Sequence, residues 1–201
     1  RMNEGMQPRV ATIERDTKET QIELTLDLDG CGESQIETGV GFFDHMLTHI
    51  ARHGLFNLTV KATGDVHVDC HHLVEDVGIV LGSAIAAAVG DKAGLVRYGM
   101  AACPMDEALV LVSLDLSGRP WCRCELDFPT ERVGQFDLEM VREFFVAVAS
   151  NAAMALHVVQ QSGSNSHHIA EGAFKSFAKA LDAATTRDPR VTGVPSTKGT
   201  L

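Results

Sequence analysis

The order of apolar and polar residues predicts the elements of the first half of the chain. Residues 21–28 place an apolar side chain at every second position, which is typical of a half-buried strand. Residues 10–15 are predicted to be extended, and 55–63 form another alternating strand. Apolar residues at helical spacing predict helices over 42–53 and from about 71 to 89. Gly78 and Gly82 would weaken the second helix, so we expect another backbone to pack closely there.

The second half repeats this order of elements. Strand-like patterns cover residues 100–106, 109–116, 120–128 and 153–161, and helical patterns cover 138–151 and 167–181. Both halves end with a helix, a strand, a short polar loop and a second helix. We therefore predict an α+β fold in which a four-stranded sheet with two helices is duplicated. The two halves are expected to pack as one sandwich-like domain.

We expect this single domain to cover residues 1–201. Its two repeats would span about 10–93 and 94–185, because the joint falls near 91–94 and no linker rich in Pro, Gly or Ser separates them. A C-terminal tail follows the second repeat, and residues 1–9 form a polar lead-in.

Composition and charge narrow the class of protein. The chain has 201 residues, of which 45% are hydrophobic, and this favours a packed core. A formal net charge of −10 argues against nucleic acid as a partner. No run approaches the roughly 18 apolar residues of a membrane span, and no secretory signal opens the chain. We therefore expect no membrane partner and a cytoplasmic location.

The motif His-His-x-x-Glu occurs twice, at residues 71–75 and 167–171, and the two copies lie 96 residues apart. Residues four apart share one face of a helix, so the first histidine and the glutamate of each copy can bind one cation. The second histidine points about 100° away, toward another centre or a neighbouring surface. Imidazole and carboxylate together suit manganese, iron, zinc or nickel. The candidate ligands are His71, His72, Glu75, His167, His168 and Glu171.

Other histidines extend the candidate site. His45, His49 and His53 form a row at spacing four on the 42–53 helix. For His49 and His53, a solvated or partly buried polar face explains the row equally well. Asp44 could orient His45. A lone histidine in a strand, as His157 is, is more often a satisfied core residue, although the second motif lies only ten residues further on.

Several cationic and hydroxyl side chains could bind a phosphate. Lys175 lies four residues after Glu171 on the motif helix and therefore faces the same side. Residues 193–199 offer hydroxyls, backbone N–H groups and an ammonium group in a short segment. Taken one at a time, Arg97, Arg119 and Lys198 are each more often ordinary surface residues. Glu19 is equally unremarkable on physical grounds alone.

The five cysteines favour a reducing compartment. An odd number at irregular spacing is a poor disulfide framework. Cys122 and Cys124 would share one face of a strand, where burial as small apolar residues is the better explanation. Cys70 lies beside the first motif and is a candidate site of oxidation.

Seven segments together carry a family resemblance that covers the chain from residue 15 to its end. In addition to the two His-His-x-x-Glu motifs, they are Arg15-x-Thr17-Lys18-Glu19-Thr20, Phe43-Asp44-His45-Met46-Leu47, Ala62-Thr63-Gly64-Asp65, Asp115-Leu116-Ser117-Gly118-Arg119-Pro120 and Pro195-Ser196-Thr197-Lys198-Gly199. The chain resembles the imidazoleglycerol-phosphate dehydratases. The resemblance implies a lyase that converts imidazole glycerol phosphate to imidazole acetol phosphate in L-histidine biosynthesis.

The resemblance also implies a role for individual residues. Metal ligands would be His45, His71, His72, Glu75, His157, His167, His168 and Glu171, divided into two sites of three histidines and one glutamate with two Mn²⁺ per active site. Substrate contacts would be Glu19, His45, His53, His71, His72, Glu75, Arg97, Arg119, His167, His168, Lys175, Ser196 and Lys198. The catalytic residues would be Glu19, His71, Glu75, His167 and Glu171.

The expected chemistry is loss of water from a phosphorylated imidazole. Two cations on the ring nitrogens would favour an imidazolate that expels hydroxide, while Glu19 takes the carbon-bound proton. Arg97, Arg119, Lys175 and Lys198 would anchor the phosphate. The family assembles from trimers into a 24-subunit particle with metals at subunit contacts. The enzyme would be cytoplasmic, or in the plastid stroma of a plant.

Two other functions fit the residues alone. A dinuclear phosphate-ester hydrolase also uses histidine and carboxylate ligands around paired cations. A metal-storage protein is the second alternative, although Lys175 on the metal face argues against it.

Overall fold

The first half of the chain contains four strands and two helices. A computed structural model describes residues 8–201, so residues 1–7 of the polar lead-in lie outside the described part. The elements of this half are β1 (Val10–Asp16), β2 (Thr20–Asp27), β3 (Ser34–Glu37), α1 (Gly41–Gly54), β4 (Asn57–Gly64) and α2 (His71–Val89).

The second half contains the same six elements and one added hairpin. They are β5 (Tyr98–Met105), β6 (Ala108–Asp115), β7 (Trp121–Glu125), α3 (Glu139–Asn151), β10 (Ala155–Ser162) and α4 (Ser166–Thr185), and the hairpin is β8 (Arg132–Val133) with β9 (Phe136–Asp137). The predicted strand 120–128 therefore ends earlier, at residue 125.

The two four-stranded sheets have the same topology. Their strand orders are β1-β2-β4-β3 and β5-β6-β10-β7, and in each the last pair is parallel while the others are antiparallel. This confirms the predicted duplicated α+β unit. The pattern did not locate β3, because this short edge strand has only one apolar residue, Ile36, and its other three side chains are exposed.

The helices lie between the two sheets. α2 packs on β1, β2 and β4 and also contacts α3 of the other half, whereas α4 packs on β5 and β6 and contacts α1. The apolar faces of both sheets thus meet the helices, and one continuous cluster of buried side chains runs through both halves. The packing agrees with the predicted sandwich.

The outward faces of the two sheets differ. The first sheet presents polar side chains to solvent, including Glu14, Gln21, Glu23, Thr25 and Lys61. The outward face of the second sheet carries several apolar side chains beside polar ones such as Ser113 and Arg123. Tyr98, Met100 and Trp121 are 56%, 69% and 64% exposed, and Leu111 and Val159 are partly exposed.

α2 is long and apolar enough to cross a membrane by length and composition, so the sequence-based statement about membrane spans is too strong. However, 67% of its most apolar stretch is buried inside the fold. A helix that packs on a sheet and on another helix needs apolar residues on most sides.

The cysteines are all free. Burial raises the pKa of Cys122 to about 11 and that of Cys124 to about 12, and both side chains pack against the core. Cys70 is only 7% exposed, and burial raises its pKa too. Because the reactive form is the thiolate, this environment argues against ready oxidation of Cys70.

The two glycines of α2 make the close contact that their positions indicate. A Cβ atom added at Gly78 would lie 2.9 Å from the carbonyl oxygen of Phe144, and one at Gly82 would lie 2.6 Å from that of Val148. Both carbonyls belong to α3. The glycines therefore allow the helices of the two halves to approach more closely than side chains would permit.

We predict that Gly82→Ala lowers stability by about 1–3 kcal/mol, because the added methyl group meets a backbone oxygen that has no room to move. The midpoint of thermal or denaturant unfolding measures this change. Gly41→Ala is the matched control, since Gly41 begins α1 with nothing within 4 Å of the added atom. An unchanged midpoint in Gly82→Ala would contradict the close contact.

Candidate functional site

Side chains from α1 and α4 meet around a buried carboxylate. We call the group His45, His49, His167, Glu171 and Lys175 the Glu171 cluster. Spacing of four places the α1 histidines in one row, and the Glu171 side chain is 7% exposed. The start of α4 is fixed by Asn165, whose side-chain oxygen accepts the backbone N–H groups of the two motif histidines.

The distances within the Glu171 cluster are short. His49 Nε2 lies 2.5 Å and Lys175 Nζ 3.1 Å from Oε1 of Glu171. His45 Nε2 lies 3.7 Å from the same oxygen, and His167 Nε2 lies 3.6 Å from Oε2. This places Lys175 on the face of the motif glutamate, as its spacing predicts.

Burial and neighbouring charges shift the pKa values within the cluster. Burial lowers the pKa of His49 to about 4, although the Glu171 carboxylate opposes this shift. Burial also lowers the pKa of His167. For Glu171, burial disfavours ionisation, but the Lys175 hydrogen bond and the nearby histidines outweigh it and hold its pKa below the usual value.

Three predicted ligands in this cluster could hold a metal ion. Ligand atoms of His45, His167 and Glu171 all lie within 4.8 Å of one another. Two imidazole nitrogens and one carboxylate oxygen match the chemistry of manganese or a similar divalent ion. The sequence left His49 undecided between ligand and polar surface, and the structure places it on the same carboxylate.

The second histidine of each motif binds a carboxylate through Nδ1. His72 Nδ1 lies 2.9 Å from Asp65 Oδ2, and His168 Nδ1 lies 2.7 Å from Glu107 Oε2. These hydrogen bonds raise the pKa of both histidines and lower that of Glu107 to about 2. Sequence reasoning did not identify either carboxylate partner. Asp65 lies in the loop seven residues before His72, and Glu107 lies in a turn 61 residues before His168, so neither has the helical spacing that relates side chains on one face.

Glu19 lies near the first motif. Its Oε2 atom is 3.7 Å from His72 Nδ1, and Glu19, Asp65 and His72 form the second group of metal-type side chains in the described part. The turn that carries Glu19 is anchored to α2, since the neighbouring Thr20 hydroxyl donates to Asp76 at 2.5 Å. Arg15 pairs with the same carboxylate at 2.9 Å.

A single chain does not bring the eight predicted ligands together. His71 and Glu75 belong to neither of the two groups found in residues 8–201. His157 lies on the outward side of β10, opposite Arg123 of β7. The predicted ligands thus occupy separate places on the chain.

Four of the predicted substrate contacts line one cleft. Arg97, Arg119, Ser196 and Lys198 surround a volume of about 570 Å³ beside the C-terminal tail. Arg97 holds the tail there, because its Nη1 atom donates to the carbonyl oxygen of Pro195 at 2.8 Å. Lys175, which was grouped with these residues, lies instead in the Glu171 cluster.

Arg97 is fixed from several sides. Its Nε and Nη2 atoms donate to the two oxygens of Asp115 at 2.7 and 3.0 Å, and its guanidinium lies 4.7 Å from the Tyr98 ring centroid. These contacts fix the guanidinium of Arg97 beside the cleft, where the Asp115 carboxylate offsets part of its charge. His53 lies outside the cleft and stacks on His49, with 5.3 Å between ring centroids.

Comparison with known proteins identifies relatives over nearly the whole chain. The family model for Imidazoleglycerol-phosphate dehydratase matches residues 38–181. Proteins of that name are 57% identical over 96% of this chain in Desulforamulus reducens and 56% identical over 96% in Geobacter sulfurreducens, and the matches cover 98% and 99% of those proteins.

Solved structures show the same fold. The imidazoleglycerol-phosphate dehydratase of Staphylococcus aureus has a TM-score of 0.81 and 40% identity, covering 89% of this chain and 99% of its own. The enzyme from Pyrococcus furiosus, solved in complex with (S)-C348, has a TM-score of 0.81 and 37% identity, covering 94% and 100%.

We predict that the metal-free protein loses stability as the pH falls from 6.5 toward 4. His49 takes up a proton near 6.5 when unfolded but near 4 when folded, so the unfolded state binds more protons over this interval. Thermal unfolding in a chelator, measured against pH, tests this.

His49→Gln should flatten this pH dependence, whereas His67→Gln, which removes an exposed loop histidine, should leave it unchanged. Equal slopes in all three proteins would show that His49 is not the group responsible.

Proposed function

The chain belongs to the imidazoleglycerol-phosphate dehydratase family, and we propose that it converts imidazole glycerol phosphate to imidazole acetol phosphate in L-histidine biosynthesis. It is then a hydro-lyase. The family match over residues 38–181 carries this proposal. The cleft formed by Arg97, Arg119, Ser196 and Lys198 supports it, because a phosphorylated substrate needs such an anion site.

We propose that two Mn²⁺ ions serve each active site. His45, His167 and Glu171 would hold one part of this centre, and the remaining ligands would be His71, His72, Glu75, His157 and His168. The donor set fits such an ion, and hydrogen-bonded Nδ1 atoms leave Nε2 of His72 and His168 available. When bound, the ions supply positive charge that stabilises the deprotonated imidazole ring of the substrate.

The side chains of the protein remove the proton, bind the phosphate and contact the substrate. Glu19, anchored through Thr20 and Asp76, takes the carbon-bound proton. Arg97, Arg119, Ser196 and Lys198 hold the phosphate and so orient the reacting carbon. Lys175 and His53 would contact the substrate from the side of the Glu171 cluster.

We propose that the active site is completed by other copies of the chain, in a 24-subunit particle built from trimers. The separation of the predicted ligands within one chain supports this. So does the outward face of the second sheet, which carries His157 together with exposed apolar residues such as Met100 and Trp121. Exposed apolar patches of this kind mark interaction surfaces. The acidic, disulfide-free chain is proposed to work in the cytoplasm or plastid stroma.

One assay separates this function from the alternatives. The purified protein is incubated with imidazole glycerol phosphate and manganese, and ketone and inorganic phosphate are both measured. A dehydratase forms the ketone and releases no phosphate. A phosphate-ester hydrolase would release phosphate, and a storage protein would do neither.

We predict that Glu19→Gln lowers turnover by about 10²- to 10⁴-fold, the usual contribution of a positioned acid–base group. Manganese content, particle size and substrate affinity should stay unchanged, because Gln keeps the shape and polarity of the side chain. The ketone assay and titration calorimetry on one preparation measure this.

Glu23→Gln, on the exposed face of β2, is the control and should keep wild-type turnover. Near-normal turnover in Glu19→Gln would remove Glu19 as the base. Loss of substrate binding would make it a positioning residue.

Removal of the metal should dissociate the particle. We predict that a chelator converts it to smaller species and abolishes activity, because ligands from different subunits share each ion. Light scattering after size-exclusion chromatography measures the size, and added manganese should restore both properties. A metal-free sample that keeps its full size would contradict this assembly.

A further inference from the structure

The two halves carry equivalent hairpins beside their motif helices. β1 and β2 are joined by a tight turn at residues 18–19, and β5 and β6 by a turn at residues 106–107. The second residue of each turn is a glutamate. Glu19 and Glu107 therefore occupy the same position in the duplicated fold.

The position that faces the turn is not the same in the two halves. In the first half, β4 ends at Gly64, opposite the start of β2, and Asp65 follows it. In the second half, Gly163 and Ser164 follow the end of β10 in the same place, and the Ser164 backbone N–H donates to Glu107 at 3.1 Å. An aspartate in one half thus corresponds to a serine in the other.

The difference between Asp65 and Ser164 changes which side chain accepts the hydrogen bond from the second histidine of each motif. Where aspartate is present, its Oδ2 lies 2.9 Å from His72 Nδ1, and Glu19 remains 3.7 Å away with 56% of its side chain exposed. Where serine is present, the turn glutamate itself lies 2.7 Å from His168 Nδ1. Ser164 carries no carboxylate, and Glu107 makes this contact with His168 instead.

We propose that Asp65 and Glu107 are positioning residues that hold His72 and His168 through Nδ1 and so direct Nε2 of each ring toward a metal ion. The second part of the proposal is that Glu19 is free to contact the substrate, because Asp65 rather than Glu19 accepts the hydrogen bond from His72 Nδ1. The inference rests on the proposed manganese sites. Two residues at one position of a repeat therefore have different roles: Glu107 orients a ligand, and Glu19 acts on the substrate.

The substitution Glu107→Gln isolates the ring contact. Glutamine keeps an oxygen that can accept the N–H groups of Ser164 and Asn165, which now bind Glu107 Oε1. It lacks the second carboxylate oxygen that accepts from His168. Asp65→Ala removes the acceptor of His72 Nδ1 in the first half, where an asparagine oxygen could still accept because no other hydrogen bond holds Asp65 Oδ1. Glu19→Gln is the matched control at the equivalent turn.

The measured quantity is the manganese that the assembled protein retains against increasing chelator. We expect wild-type protein and Glu19→Gln to retain two ions per active site. Glu107→Gln and Asp65→Ala should each release one ion at about 10- to 100-fold lower chelator, the usual effect of removing a hydrogen-bond partner of a ligand. The other ion should be retained as in the wild type.

A second substitution tests the exchange between the halves. Ser164→Asp, added to Glu107→Gln, supplies the aspartate that the first half has at this position, and it should restore retention of the lost ion. A variant weakened only by general disruption of the fold would not be rescued.

The proposal is wrong if Glu107→Gln retains both ions as tightly as the wild type, or if Glu19→Gln loses one equally. Failure of Ser164→Asp to restore binding would also overturn the assigned exchange. Wild-type protein that retains no manganese under any condition would refute the proposed function itself, which is a different result.

Discussion

The site depends on one buried carboxylate. Glu171 points into the contact between α1 and α4 with 7% of its side chain exposed, so its charge must be matched by cations within the protein. Lys175 supplies a cation from its own helix, and the imidazole nitrogens of His49 and His45 approach from α1, although the pKa of about 4 leaves His49 neutral above that pH. Because these partners come from two helices, the requirement to stabilise one charge also fixes how the two helices lie against each other.

The apolar pattern predicts most of the fold, because burial of one sheet face leaves an alternating signature. Residues 22–28 of β2 show it clearly, and the repeated order of elements predicts the duplication. Gly78 and Gly82 even indicate where the halves touch. Elements that bury few side chains show no such alternation of apolar and polar residues. β3 has only Ile36 as an apolar residue, and the hairpin β8–β9 has two residues in each strand.

The site was predictable only where it is local in sequence. Spacing of four on a helix correctly relates Lys175 to Glu171. The contacts of His72 with Asp65 and of His168 with Glu107 join a helix to a turn, and no spacing rule connects them. His49 was predictable only in part. Its place in a row of histidines on α1 is visible in the sequence, but the carboxylate that it contacts lies on α4. The family resemblance predicts which residues are ligands, but the carboxylates that hydrogen-bond to them are seen only in the structure.

The helix layer joins the two halves of the chain. Each sheet covers its inner face with helices that in turn contact helices of the other half, and one cluster of buried side chains includes residues from both. An isolated half would expose the helix faces that now meet across the middle, including the Gly78 and Gly82 side of α2. We therefore infer that the chain unfolds in one cooperative transition despite its internal repeat. Cleavage near residues 91–94 would leave two fragments that keep their structure only while they remain associated.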